Sequence, residues 1–321
     1  MNCLSNTCGE AVEHAKHDGI TISEKRLRQI AIRVSQTGLD LREQRLANPP
    51  APGEDWKGKR IAVLLDGGRV QIRENHRGRK PQNGGRRYDT AWREPKLFVI
   101  YEIDENGHKR RKSSCRCDGT IGDPDAIAEL LIVELKLHGA GQAELIIFLS
   151  DGAPWIWNRL DDIVAKSGIA PEKVRKCLDF YHAVEHLTKI ADAIPFASEK
   201  QRRKFLDEMK HFMKILESKQ FLDVLAKYRR KGNKTIRQEY QYFVNHALGL
   251  NYREMLELKL PIGSGAVESA IRRVVNLRLK GAGMFWLLEN AEGFLHLRCQ
   301  LKSGNWAQCF DDIMNNYSKL S

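Results

Sequence analysis

Two aspartates end apolar runs in the same way. "LLDGGRV" (64–70) carries Asp66 before two glycines, and "LIIFLSDGAPWIW" (145–157) carries Asp151 before one, 85 residues later. One acidic strand end is ordinary turn chemistry. Two in matching context put two carboxylates at one sheet edge if the strands are neighbours, where α/β proteins gather functional groups. The glycines would then leave the approach of a large substrate unobstructed. Adjacent carboxylates repel unless a cation lies between them, and oxygen-only donors suit Mg²⁺ or Mn²⁺. Glu268 is the best third ligand. It lies one turn into a helix opened by "GSG" (263–265), with Arg272 and Asn276 at i+4 and i+8 on its face; Val267, Ile271, Val274 and Val275 form the apolar side. Three carboxylates holding two ions suit metal-dependent phosphodiester cleavage.

The charge agrees with a phosphate substrate. Fifty-three Lys+Arg against 41 Asp+Glu give a net +12, the balance of a polyanion-binding surface. It is concentrated beside Asp66: residues 67–96 hold nine basic residues against three acidic ones. This segment reads as a mobile loop that grips DNA through Arg69, Arg73, Arg77, Arg79, Lys80, Arg86 and Arg87. Arg272, Arg273, Arg278 and Lys280 are expected at phosphates, and Trp286, after a glycine-rich basic turn, against an unpaired base. Trp155 and Trp157 lie beside an apolar helix and are read as core. His182 and His186 stand at i, i+4 without an HExxH pattern and are not read as zinc ligands. Seven cysteines at unrelated spacings argue for free thiols, and "CRC" (115–117) lacks a partner pair for zinc. No apolar run is long enough for a membrane span, and the N-terminus is too polar for a signal peptide, so a cytoplasmic, nucleoid-associated protein is expected.

The elements that must position these groups follow from periodicity. Residues 1–55 read as an N-terminal helical segment ending in the linker "ANPPAPG" (47–53). In 56–180, strands are expected at 59–66, 96–104, 108–117, 143–151 and 174–180, with a hairpin turn at "ENG" (105–107). Helices are expected at 123–139, with Asp123 as N-cap and Gly139 as stop, and at 154–168. Residues 181–258 carry a helical period only, and 259–321 hold the Glu268 helix and one more. The fold class is therefore α/β, a mixed sheet flanked by helices, with an all-helical insertion before the glutamate-bearing helix.

Four blocks, "LLDGGRV", "LSDGAPWIWN", "LDFYHAVEHL" and "GSGAVESAIRRVVNLRLKGAGMFW", resemble in order the signatures of insertion-sequence DDE transposases of the ISKra type, distant relatives of Mutator-like enzymes. The resemblance spans roughly 20–315. It implies an RNase H-like catalytic fold, Asp66, Asp151 and Glu268 as the metal-binding triad, and Asp179 and His182 of "DFYH" as accessory residues. It also implies cleavage at element ends, strand transfer into target DNA, and a homodimer assembled on DNA. About fifty residues precede the catalytic sheet, fewer than in such relatives, so an N-terminally shortened copy is expected. A nuclease of the same fold that cuts without joining, and a DNA binder without catalysis, are the alternatives.

Overall fold

The computed structural model describes residues 8–77, 87–111, 113–229, 233–281 and 283–317. Two helices come first, α1 (Cys8–His17) and α2 (Glu24–Ala47). The strands that follow are β1 (Arg60–Gly67), β2 (Val70–Arg77), β3 (Arg87–Arg93), β4 (Lys96–Ile103) and β5 (Arg116–Thr120). Then come α3 (Pro124–Leu137), β6 (Leu145–Ser150), α4 (Pro154–Trp157), α5 (Leu160–Lys166) and β7 (Val174–Leu178). The remaining described elements are helical: α6 (Phe180–Ala193), α7 (Glu199–Ile215), α8 (Ser218–Ala226), α9 (Lys234–Asn245), α10 (Tyr252–Glu257), α11 (Gly265–Ile271), α12 (Leu288–Ser303) and α13 (Trp306–Tyr317).

Five strands form one mixed sheet in the order β5–β4–β1–β6–β7. β4 lies antiparallel to β1 and to β5, while β6 lies parallel to β1 and to β7. The central strands are apolar on both faces because both faces are covered. Ile61, Val63, Leu65, Phe98, Ile100, Ile146 and Phe148 pack under α3 and α5. Ala62, Leu64, Leu97, Val99, Ile147 and Leu149 join the larger core built with α6, α11 and α12. The period of two along each strand thus divides one apolar run between two cores. This α/β architecture is compatible with an RNase H-like fold.

Several expected elements differ in form. Within the segment expected as a mobile loop, 70–77 and 87–93 are paired antiparallel strands, β2 and β3, while 78–86 lie outside the described residues. Val70 and Ile72 anchor the pair by burial, and it gains a third line of pairing: the Arg73 N–H donates to the Trp286 carbonyl at 2.7 Å and the Trp286 N–H to Gln71 at 3.1 Å. The strand expected at 108–117 lies later, at β5. After β4 the Asp104 carboxylate accepts from the backbone of Asn106 and His108, both at 2.9 Å, and folds the chain into a turn. The helix expected over 154–168 is two, α4 and α5, and Trp155 and Trp157 pack half-buried against the core. α11 passes into a π-helical turn at Arg272–Asn276, where the Leu277 N–H reaches back five residues to the Arg272 carbonyl at 3.0 Å. Arg298 of α12 donates to the carbonyls of Arg273 and Val274 there.

Polar residues on β5 explain why its period misled. Thr120, buried, accepts the Gly122 N–H at 2.9 Å, whereas the buried Asp118 is tolerable only with charged partners from elsewhere. Arg42 of α2 donates to the Gly119 carbonyl at 3.1 Å and to Glu292 of α12 at 2.8 Å. Glu292 in turn accepts the Ile121 N–H at 2.6 Å. Burial raises the Asp118 carboxyl, but His296 and Arg42 outweigh it and hold it below the usual carboxylate range. Removing one member strands the others in the interior. Arg42→Met is expected to cost about 3 kcal/mol of stability in denaturant unfolding; a loss under about 1 kcal/mol would refute the network's role.

Candidate functional site

The parallel pairing of β1 and β6 brings the two aspartates together. Leu65 pairs with Ser150, so the next residues, Asp66 and Asp151, end adjacent strands at the same edge. They also share a face. Ala62 and Leu64, then Ile147 and Leu149, point into the core that α6 and α11 cover, and Asp66 and Asp151 continue those phases. Glu268 comes from α11, which packs on β1 and β4.

Burial is the main reason that the Asp66 carboxyl is pushed up to about 7, against the Gly67 N–H that donates to it at 2.7 Å. The charges of Asp151 and Glu268 raise it further, and His182 at the start of α6 pulls it down. Among the described residues no group of three His, Cys, Asp or Glu side chains is arranged to hold a metal ion. The donor set nevertheless suits a hard dication, since all ligating atoms would be oxygens.

Asp179 sits 2% exposed directly after β7. One carboxylate oxygen caps α6 by accepting the His182 N–H at 2.7 Å, and the other accepts the Ser264 N–H. The Ser264 hydroxyl donates to Glu268 at 2.8 Å, and the Phe180 N–H donates to the Ile262 carbonyl at 2.9 Å. A relay of Asp179, Ser264 and Glu268 therefore aims the glutamate. His182 is half-exposed, with Nδ1 3.7 Å from Glu185.

The Asp151 turn is held by α9. The Tyr242 hydroxyl donates to the Asp151 carbonyl at 3.0 Å. The Tyr242 ring stacks on His186 at 3.5 Å, and His186 bonds to Glu239. The His246 ring lies 2.8 Å from the Gly152 carbonyl through Nε2 and 2.7 Å from the Tyr242 carbonyl through Nδ1. Gly152 has φ +90°, and a Cβ on it would meet His246 and Leu178 at 2.9 Å, so glycine is required there. Ser264, Tyr242 and His246 were not singled out from sequence. The spacing of Glu239, Tyr242 and His246 along one face of α9 was the available signal.

The glycines after Asp66 do not open a path. A Cβ on Gly67 would meet Glu94 at 2.5 Å, and one on Gly68 would meet Pro95, Val275 and Ile271 at 3.3–3.6 Å. They admit the neighbouring chain and the Glu268 helix.

The expected DNA-binding residues divide. Arg69, Arg73, Arg87, Arg272, Arg273 and Lys280 are exposed. Arg79, Lys80 and Arg86 lie outside the described residues, as does the side chain of Arg77. Arg278 is only 4% exposed, its guanidinium over Trp286 and Phe294 at 5.2 and 5.1 Å, which withdraws it from the surface. The Trp286 indole N–H donates to the Leu279 carbonyl at 3.0 Å, so its polar edge is engaged inside the fold. No disulfide joins the six described cysteines. None of the described helices is long and apolar enough to cross a membrane.

No family model matches the chain, and no curated protein does. Among solved structures it is similar to the Drosophila P element transposase strand transfer complex, at 12% identity over 99% of this chain and 79% of that one, with a TM-score of 0.27. A superposition that loose bears on neither fold nor function.

Two outcomes are expected. In metal-free protein Asp66 binds its proton more tightly folded than unfolded, so its contribution to stability is full below about pH 4 and is lost as pH rises to about 7. Thermal melts across that window should show a decline of roughly 4 kcal/mol, about three pH units at about 1.4 kcal/mol each, that Asp66→Asn removes; an unchanged slope in the variant would contradict the burial. Asp179→Ala should cost about 2 kcal/mol by stranding two backbone donors, read by urea unfolding, and a neutral result would exclude the relay.

Proposed function

We propose that this chain is a DNA transposase of the insertion-sequence DDE type, with an RNase H-like catalytic core that cuts phosphodiester bonds at element ends and joins them to target DNA. The observation that carries the reading is the parallel neighbourhood of β1 and β6, which brings Asp66 and Asp151 to one edge beneath the helix bearing Glu268. In this reading residues 56–180 and 259–321 form the core, 181–258 are a helical insertion, and 1–55 precede the core. Asp66, Asp151 and Glu268 would hold Mg²⁺ or Mn²⁺. The chemistry that such ions supply when bound is charge neutralisation at the attacked phosphate and the leaving oxygen.

The chain's own residues do the rest. Ser264 orients the Glu268 carboxylate and Asp179 orients Ser264. Tyr242 and His246 hold the turn that carries Asp151. Arg69, Arg73 and Arg87 on the hairpin, with Arg272 and Arg273 on the Glu268 helix, take the DNA backbone through phosphate contacts. Two element ends must be brought together, which two copies of the chain on DNA would accomplish.

The test is nicking of a labelled duplex in Mg²⁺ or Mn²⁺. Asp66→Asn and Asp151→Asn should keep the fold and lower the rate more than about a hundredfold. Undiminished nicking by either variant sinks the proposal. A pre-cleaved 3′-hydroxyl end supplied with target DNA then separates joining from cutting alone, the latter being the outcome for a nuclease.

A further inference from the structure

We propose that Tyr181, in the first turn of α6, is the platform on which one unstacked base rests beside the attacked phosphate, so that the DNA is opened at the nucleotide next to the cut. The inference rests on the reading of Asp66, Asp151 and Glu268 as a phosphodiester-cleaving site and deepens it. Tyr181 is 66% exposed, so the core makes little use of its ring. Its place is nevertheless fixed. A Cβ on Gly263 would come within 2.6 Å of the ring, and Gly263 has no left-handed backbone to account for a glycine. The room that Gly263 leaves is room for Tyr181. The buried Phe180 meets the same ring edge-on, with centroids 5.7 Å apart. A flat aromatic ring seated by its neighbours and open to solvent is a ready surface for stacking.

The surroundings of the ring point to its ligand. Gly263 directly precedes Ser264, whose hydroxyl donates to Glu268 at 2.8 Å and whose N–H donates to Asp179, two residues before Tyr181. Glu268 is exposed, and a Cβ on Gly265 would meet nothing within 4 Å, so the start of α11 is open to an approaching chain. A nucleotide whose phosphate lies at Glu268 therefore brings its base to the side of the site that Tyr181 occupies. The exposed Lys214 ammonium, 4.5 Å over the Phe180 ring, stands by the aromatic pair as a cation for a neighbouring phosphate. Base faces inside a duplex are covered by their neighbours, so the occupant is a base released from the stack. Every base has such a face, so the platform opens the site without selecting its sequence.

Binding to the full chain in Ca²⁺, an ion that takes the same oxygen ligands, reads this apart from nicking. Two labelled duplexes are compared, one with a single bulged adenine and one with an abasic residue at the bulge. The base-bearing duplex should bind tighter, by about fivefold or more. Tyr181→Leu should erase that preference and leave the abasic duplex unaffected, while Tyr181→Phe keeps it. Gly263→Ala, which pushes the ring aside with the tyrosine still present, should lose the preference too, and it serves where Tyr181→Leu melts early. Equal binding of the two duplexes by the parent chain, a preference that survives in Tyr181→Leu, or an equal loss on both duplexes overturns the proposal. A base preference that depends on Tyr181, without metal-dependent nicking, would overturn the catalytic reading; nicking without a base preference would overturn the platform alone.

Discussion

A single buried carboxylate, that of Asp179, answers two needs of the chain at once. At the end of β7 it supplies the acceptor for the exposed backbone donors of α6, and from the same position it accepts the Ser264 N–H that begins the turn into α11. A carboxylate out of water must be satisfied on both oxygens. Because those donors belong to segments 82 residues apart, from His182 to Ser264, the requirement joins the far end of the helical region to the sheet. The direction in which Glu268 leaves α11, and hence its relation to Asp66 and Asp151, follows from that junction.

The proton affinity of Asp66 is raised first by burial and then by the charges of Asp151 and Glu268, while Asp151 is restrained through its backbone by Tyr242 and its neighbour Gly152 by His246. The π-helical turn after α11 has its carbonyls met by Arg298, which fixes the end of the same helix from α12. The basic hairpin lies directly after Asp66 in the chain, and its backbone pairing with Trp286 ties it to the segment between α11 and α12.

Much of this was legible in the residues. The apolar runs at 61–65 and 146–149 announced strands, and the switch to a helical period after residue 180 announced the helices. What misled was local. The hairpin of 70–77 and 87–93 is dominated by charge, which hid the alternation of Val70 and Ile72. β5 carries Asp118 and Thr120 inward, and the network of Arg42, Glu292 and His296 around Asp118 comes from helices 70 or more residues away in sequence. Arg278 read as a surface cation because its aromatic cover, Trp286 and Phe294, is contributed from beyond the turn.

By itself the sequence determined which residue types could carry chemistry and which faces must be buried, since residue type and periodicity are local properties. It placed an aspartate at each of two strand ends and a glutamate one turn into a helix. Only the tertiary structure decided that β1 and β6 are parallel neighbours in the register that sets Asp66 beside Asp151, because strand order is a property of the whole sheet. It likewise decided the use of the glycines after Asp66, which admit Glu94, Pro95 and the Glu268 helix where an open approach was expected. Close packing between segments distant in sequence made both choices, and no single stretch of sequence contains it.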